Sequence, residues 1–141
     1  MPRRLSDDLN TLDIIDNLSG CTLRLSYRMP TTSERVAYQN KAIRRRGNKI
    51  EVRSAEARLE AGLGILAGIR EGDFERKDAT GQYVSLSCDP NSPHYDANWK
   101  KIVGKYAPDV VEALAGRVFD GGVSIEDAEG DEADVSGPDK D

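Results

Sequence analysis

The sequence predicts a single α+β domain: a small antiparallel sheet packed by a central helix and a C-terminal helical pair, followed by a disordered acidic tail. Three observations predict it. Residues 55–72, AEARLEAGLGILAGIREG, place Leu59, Leu63, Leu66 and Ile69 at three- and four-residue steps, with Ala55 and Gly62 beside them, the stripe of one α-helix. CTLRLSYR and KIEVR alternate apolar with polar residues at the two-residue period of half-buried strands. Trp99, Ile102, Val103 and Tyr106, then Val111, Leu114, Ala115 and Val118, form two further helical patterns separated by Pro108.

In chain order, residues 1–20 are an N-terminal arm or short helix. Leu9, Leu12, Ile15 and Leu18 have helical spacing, yet so short a window suits a strand or an ordered arm equally. The α+β domain spans residues 21–124. Leu23, Leu25 and Tyr27 alternate with Arg24, Ser26 and Arg28 until Pro30 closes the strand. Thr31 and Glu34 have capping-box spacing and open a helix expected to reach Gly47, with a thin apolar face of Val36 and Ile43 beside Tyr38 and Ala42. Gly47-Asn48 makes a turn, and KIEVR is expected to be a strand pairing with CTLRLSYR or an extended lead into the core helix.

That core helix is expected to end at a left-handed cap on Gly72. Its three internal glycines, Gly62, Gly64 and Gly68, cost about 1 kcal/mol each relative to alanine in an isolated helix, and close approach of another backbone would compensate them. Next, DFERKDATGQYVSLSCDP reads as a hairpin turning around residues 78–81, and Asp96 as the N-cap of the helix carrying Trp99.

The composition describes a polar chain: 141 residues, 38% hydrophobic and 32% charged, with net charge −5. That length buries a core without disulfides or metal. The stretch MPRRLSDDLN lacks the apolar centre of a signal peptide and no run of 18 apolar residues occurs, so the expected location is cytoplasmic. Cys21 and Cys88 lie far apart outside any CxxC or Cys/His cluster and are expected to be free, buried thiols. Residues 126–141 hold eight acids and one base, a local charge of −7, which leaves residues 1–125 at about +2. Residues 125–141 are therefore expected to form a disordered acidic tail, unable to bury enough apolar surface to offset ordering.

No motif specifies a reaction. His94, the sole histidine, has Cys88, Asp89 and Asp96 nearby, but a triad needs an orienting group and a shaped pocket, and a surface histidine is the favoured reading. Zinc-ligand spacing is missing, and Gly62, Gly64 and Gly68 fail the dinucleotide fingerprint because the third glycine comes one residue late and mid-helix. No catalytic residue, metal or cofactor is expected. The sharper signal is basic: Lys41, Arg44, Arg45, Arg46, Lys49 and Arg53 fall within thirteen residues that contain Glu51 as the sole acid. Such a patch suits phosphates or an acidic partner, although bases also complement a helix C-terminus.

The order YRMPTTSERVAYQN, then a glycine-bearing helix ending GIREGDF, then a hairpin and YDANWKKIVGKYAPDVVEALAGRVFDG, resembles small proteins of the tail-gene cluster of long-tailed bacteriophages and prophages, the tail assembly chaperones and their neighbours. The likeness spans roughly residues 22–122. It implies a non-enzymatic role: binding the tape-measure protein and recruiting tail-tube subunits in the bacterial host. Under that reading the candidate partner-binding residues are Gly62, Leu63, Leu66 and Ile69, or Trp99 and Tyr106 with Val111 and Leu114 on the C-terminal helices. The alternative is a nucleic-acid-binding accessory protein using Lys41, Arg44, Arg45, Arg46 and Lys49.

Overall fold

The computed structural model describes residues 2–46, 49–52 and 54–121. The expected acidic tail lies outside them. The elements run β1 (Asn10–Ile15), β2 (Thr22–Tyr27), α1 (Thr32–Ala42), β3 (Ile43–Arg46), β4 (Lys49–Val52), α2 (Ser54–Ile65), β5 (Leu66–Ile69), β6 (Glu75–Lys77), β7 (Tyr83–Ser85), α3 (Trp99–Tyr106) and α4 (Pro108–Ala115), with a π-helical turn over Gly116–Asp120. This is an α+β architecture: an antiparallel sheet ordered β1-β2-β5 and two hairpins, β3-β4 and β6-β7.

Residues 10–15 take the extended alternative. The Asp16 carboxylate accepts from the Leu18 amide at 3.1 Å and the Ser19 hydroxyl at 2.7 Å, and Gly20 supplies a φ of 76°, so the chain reverses into β2. The register sets Leu12 opposite Leu25 and Asp13 opposite Arg24, whose ion pair at 2.8 Å lies on the solvent face. Leu23 and Leu25 point inward from the central strand and are buried.

The central helix is shorter than its apolar stripe. It ends at Ile65, and Leu66 and Ile69 belong to β5, paired with Tyr27 and Leu25 of β2. A continuous stripe at helical spacing can also be the junction of a helix with a buried strand, because both bury Leu and Ile. What stops the helix is Arg28, whose backbone N–H donates to the Ile65 carbonyl at 3.0 Å and whose guanidinium donates to the Gly64 carbonyl at 2.9 Å. Those donors satisfy carbonyls that a helix end leaves open. Gly72 is no helix cap; with φ 95° it sits in the turn that Asp73 closes by donating to the Arg70 carbonyl at 3.1 Å.

Two further boundaries differ from expectation for related reasons. The capped helix α1 ends at Ala42 rather than Gly47, because Ile43–Arg46 pairs with Lys49–Val52 in register Ile43 to Val52 and Arg46 to Lys49. KIEV therefore pairs with IRRR and not with CTLRLSYR, whose strand already has β1 and β5 on its two edges. Asp96 does not cap α3 directly. Its side chain accepts from the Asn98 amide at 2.8 Å, making a turn two residues before the helix starts, and Asn98 holds the N-cap position. The hairpin β6-β7 turns as expected, through Asp78 and Gly81 at φ 88°.

The core gathers Leu23 and Leu25 from β2, Ile65 from α2, Leu66 and Ile69 from β5, Leu86, Val103 from α3, and Val110, Val111 and Leu114 from α4. Full burial of each such side chain contributes roughly 1.5–3 kcal/mol. Helices α2 and α4 meet at Gly62, where a Cβ would lie 2.5 Å from the Val111 carbonyl oxygen and 2.7 Å from its Cγ1. The backbone that compensates this glycine belongs to the same chain. Gly104 of α3 likewise receives Leu63, whose methyls would approach an added Cβ to 3.1 and 3.2 Å.

Candidate functional site

Helices α1 and α2 pack side by side and are bridged by Lys41 and Glu60. Between them runs a groove of about 170 Å³ with Ala37, Ala57, Ala61 and Gly64 as its apolar lining and Glu34, Lys41, Glu60, Tyr38 and Phe119 around it. Small residues at α2 positions 57, 61 and 64 follow helical spacing and keep the groove open; ordinary leucines there would fill it.

One end is fixed by the capping box. The Thr31 amide donates to Glu34 Oε1 at 2.8 Å and the Glu34 amide donates to Thr31 Oγ1 at 3.2 Å, the reciprocal pair that Thr-x-x-Glu spacing predicts. Arg28 adds a two-pronged contact, its two terminal nitrogens each 2.7 Å from a Glu34 oxygen, while holding the Gly64 carbonyl. A single guanidinium thus joins the end of β2, the first turn of α1 and the last turn of α2. The Arg28 guanidinium, followed by the Thr31 amide, holds the Glu34 carboxyl at about 2, well below the usual carboxylate range.

The opposite end is fixed by Asp120. The Tyr38 hydroxyl donates to the Asp120 carboxylate, 2.8 Å from one oxygen and 2.9 Å from the other, and Arg58 of α2 donates to the same group at 3.1 Å. Burial, then the Asp120 charge, pushes the Tyr38 hydroxyl above the ordinary phenol range. The Tyr38 and Phe119 rings are 4.9 Å apart, tilted by 40°. Lys41 and Glu60 bridge the two helices at 2.7 Å.

The residues singled out from sequence scatter over the fold. Gly62, Leu66 and Ile69 are buried in the core, Leu63 is half-buried against Gly104, and Val111 and Leu114 are fully enclosed. Trp99 is half-buried against the core, whereas Tyr106 is 74% exposed. The glycine-bearing stretch is therefore not one surface. Lys41 lies at the groove; Arg44, Arg45 and Arg46 lie on β3 and Lys49 on β4, a hairpin rather than a helix end. Sequence reasoning missed the groove itself. Its signal lies in Ala57, Ala61 and Gly64, small residues at helical spacing, of which only Gly64 enters the sequence reading, as an internal glycine of the core helix.

His94 is exposed in the loop before α3, its backbone N–H donating to Ser92 Oγ at 3.1 Å. Hydrogen bonds from the Ser92 and then the Ser87 hydroxyl lower the Glu71 carboxyl, but Ser87 is only 2% exposed and is not placed to meet a substrate. Cys21 is exposed, against the expectation of burial, because it directly follows the β1-β2 turn; Cys88 is half-buried with Sγ 3.4 Å from both the Ile69 nitrogen and oxygen, and both thiols are free. Among the described residues no cluster of three or more His, Cys, Asp or Glu side chains could hold a metal ion, and no helix is long and apolar enough to cross a membrane. Comparison with protein-family models, curated proteins and solved structures found no match to this chain.

Proposed function

We propose that this chain is a non-enzymatic protein-binding factor in phage tail morphogenesis, acting as tail assembly chaperones do on tape-measure and tail-tube proteins. The observation that carries the reading is the α1/α2 groove. At about 170 Å³ it is smaller than an ordinary small-molecule pocket of roughly 300–1,000 Å³, but its alanine and glycine lining between charged borders suits apolar side chains from one face of a partner helix. The resemblance supports the same reading, since YRMPTTSERVAYQN supplies the Arg28–Glu34 contact and α1, and GRVFDG supplies Phe119 and Asp120.

The test is co-purification of the full chain with tape-measure protein from cells expressing the adjacent tail genes, beside an Ala37→Arg variant. Ala37 is exposed, so the substitution leaves stability within about 0.5 kcal/mol while filling the groove. Capture that the variant loses at least tenfold supports the reading. Absence of capture, or equal capture by both proteins, ends it.

A second reading, a nucleic-acid-binding accessory protein, is favoured by one observation. The β3-β4 pairing gathers Arg44, Arg45, Arg46 and Lys49 on one two-stranded hairpin. Its signature is oligonucleotide binding that weakens steeply with added salt.

A further inference from the structure

We propose that the free edge of β1 pairs with the same edge of a second copy of this chain, antiparallel and about a two-fold axis, so that two three-stranded sheets become one of six strands. The inference does not depend on the phage reading. β1 is an outer strand of the sheet ordered β1-β2-β5. The Asp16 amide donates to the Cys21 carbonyl at 2.8 Å, so the even-numbered residues turn their backbone groups toward β2. Arg24 agrees: its amide donates to Asp73 and its carbonyl accepts from Arg70, both on the β5 side, and its partner Asp13 therefore faces away from β2. The N–H and C=O groups of Thr11, Asp13 and Ile15 thus line an edge that no strand among the described residues occupies.

The two edges of the sheet are treated differently. Along β5 the register shifts between Ser26 and Tyr27, and Cys88 Sγ lies 3.4 Å from both the Ile69 nitrogen and oxygen, so that edge is irregular and covered. β1 has none of the usual protections: NTLDII holds no proline and no basic residue, and its register runs unbroken from Asn10 to Ile15. Its one charge, Asp13, is already neutralised by Arg24 at 2.8 Å. The outer face is apolar at both ends, with Leu9 55% and Ile15 74% exposed, while Leu12 and Ile14 on the other face are half-buried against the core.

The strand is self-complementary in one register. Keeping the two core faces continuous requires even-numbered residues opposite even-numbered ones. With Leu12 on the axis, opposite its own copy, Thr11 meets Asp13 of the second copy and Leu9 meets its Ile15. Each Thr11/Asp13 pair then exchanges both N–H···O bonds, the exposed Leu9 and Ile15 cover each other at both ends, and Leu12 extends the apolar layer across the axis. Moving the axis to Asp13 would set two carboxylates directly opposite each other, a destabilising pair. An edge this short makes an interface below the roughly 1,200 Å² of standard complexes, so the dimer forms and dissociates with concentration.

The test follows the full chain by analytical sedimentation from about 5 to 500 µM, a range that exposes a weak equilibrium, with amide hydrogen exchange at both limits. The expected result is a reversible dimer in which the Thr11, Asp13 and Ile15 amides slow about tenfold, while those of Leu12 and Ile14, which face β2, do not change. Ile15→Lys, at an exposed position, and Thr11→Pro, which deletes an outward N–H and no bond to β2, each weaken the dimer about tenfold or more. Leu25 and Val111 amides, unchanged in both variants, are the control for folding. A chain that stays monomeric throughout overturns the proposal; if added tape-measure protein then protects the same three amides, the edge belongs to that partner. A dimer that keeps its affinity in Ile15→Lys, or whose Thr11, Asp13 and Ile15 amides exchange as they do in dilute chain, also overturns it and puts the interface elsewhere.

Discussion

Gly62→Ala isolates the contact between α2 and α4. Alanine is the better helix former by about 1 kcal/mol, so the isolated helix gains from the change. In the fold, the new methyl would sit 2.5 Å from the Val111 carbonyl oxygen, well inside contact distance, and its neighbour is backbone that cannot rotate away. Opening the helix pair by the missing fraction of an ångström unpacks Val110, Val111 and Leu114, and overpacking of this kind costs about 1–3 kcal/mol. With the helix-propensity gain subtracted, the net expectation is destabilisation by up to about 2 kcal/mol, a fall in Tm of up to several degrees. Gly64→Ala, two residues along the same helix, is the internal control: its added Cβ meets nothing nearer than Glu34 Oε2 at 3.7 Å, so it is neutral or stabilising by up to about 1 kcal/mol. Urea unfolding of both variants decides the matter. If Gly62→Ala is as stable as the native chain, or if both substitutions shift stability in the same direction, the close approach of α2 to α4 does not explain this glycine.

Other perturbations test the two ends of the groove. Glu34→Gln removes the charge that Arg28 and Thr31 hold and is expected to cost about 1–2 kcal/mol by chemical denaturation. Because the folded carboxyl lies near 2 against an ordinary 4.5, its contribution is complete above about 4.5 and is lost as pH falls toward 2; the variant's stability should lack that portion of the acid dependence. Tyr38→Phe removes the donor to Asp120 and is expected to cost about 1–2 kcal/mol; an unchanged unfolding midpoint would mean that Arg58 alone anchors Asp120. Native-state hydrogen exchange should find α1 amides less protected than those of α2 and α4, and equal protection would contradict its light packing.

The sequence disclosed elements more readily than their ends. The period-two alternation of CTLRLSYR, the Thr31/Glu34 capping box, the turn at residues 78–81 and Pro108 at the start of α4 each act locally, and each is present where its chemistry requires. The extent of α2 was not local information. Leu66 and Ile69 continue a helical stripe, and only the partner strand and the distant Arg28 decide that they leave the helix. The same holds for KIEV, an alternating segment whose partner depends on β2 being occupied on both edges. The groove was hidden for a different reason: alanines contribute weakly to an apolar stripe, and their meaning here is the space they leave.

That space depends on an uncommon way of holding a helix. Among the residues of α1 whose burial is described, Tyr38 is the one enclosed, and Val36 remains 49% exposed, so a broad apolar face does not secure the helix. Its positioning comes from contacts at identifiable points: Arg28–Glu34 at the start, Tyr38–Asp120 in the middle and Lys41–Glu60 near the end. Exposed ion pairs, the two-pronged Arg28–Glu34 pair among them, contribute only about 0–1 kcal/mol each, whereas the part-buried Tyr38 anchor contributes more. A helix held in this way can shift against α2 without dismantling the core, which is built from α2, α4 and the sheet. Any ligand that wedges the groove would act on α1, and α1 leads directly into the basic hairpin. Groove and hairpin are thus joined by a lightly packed helix.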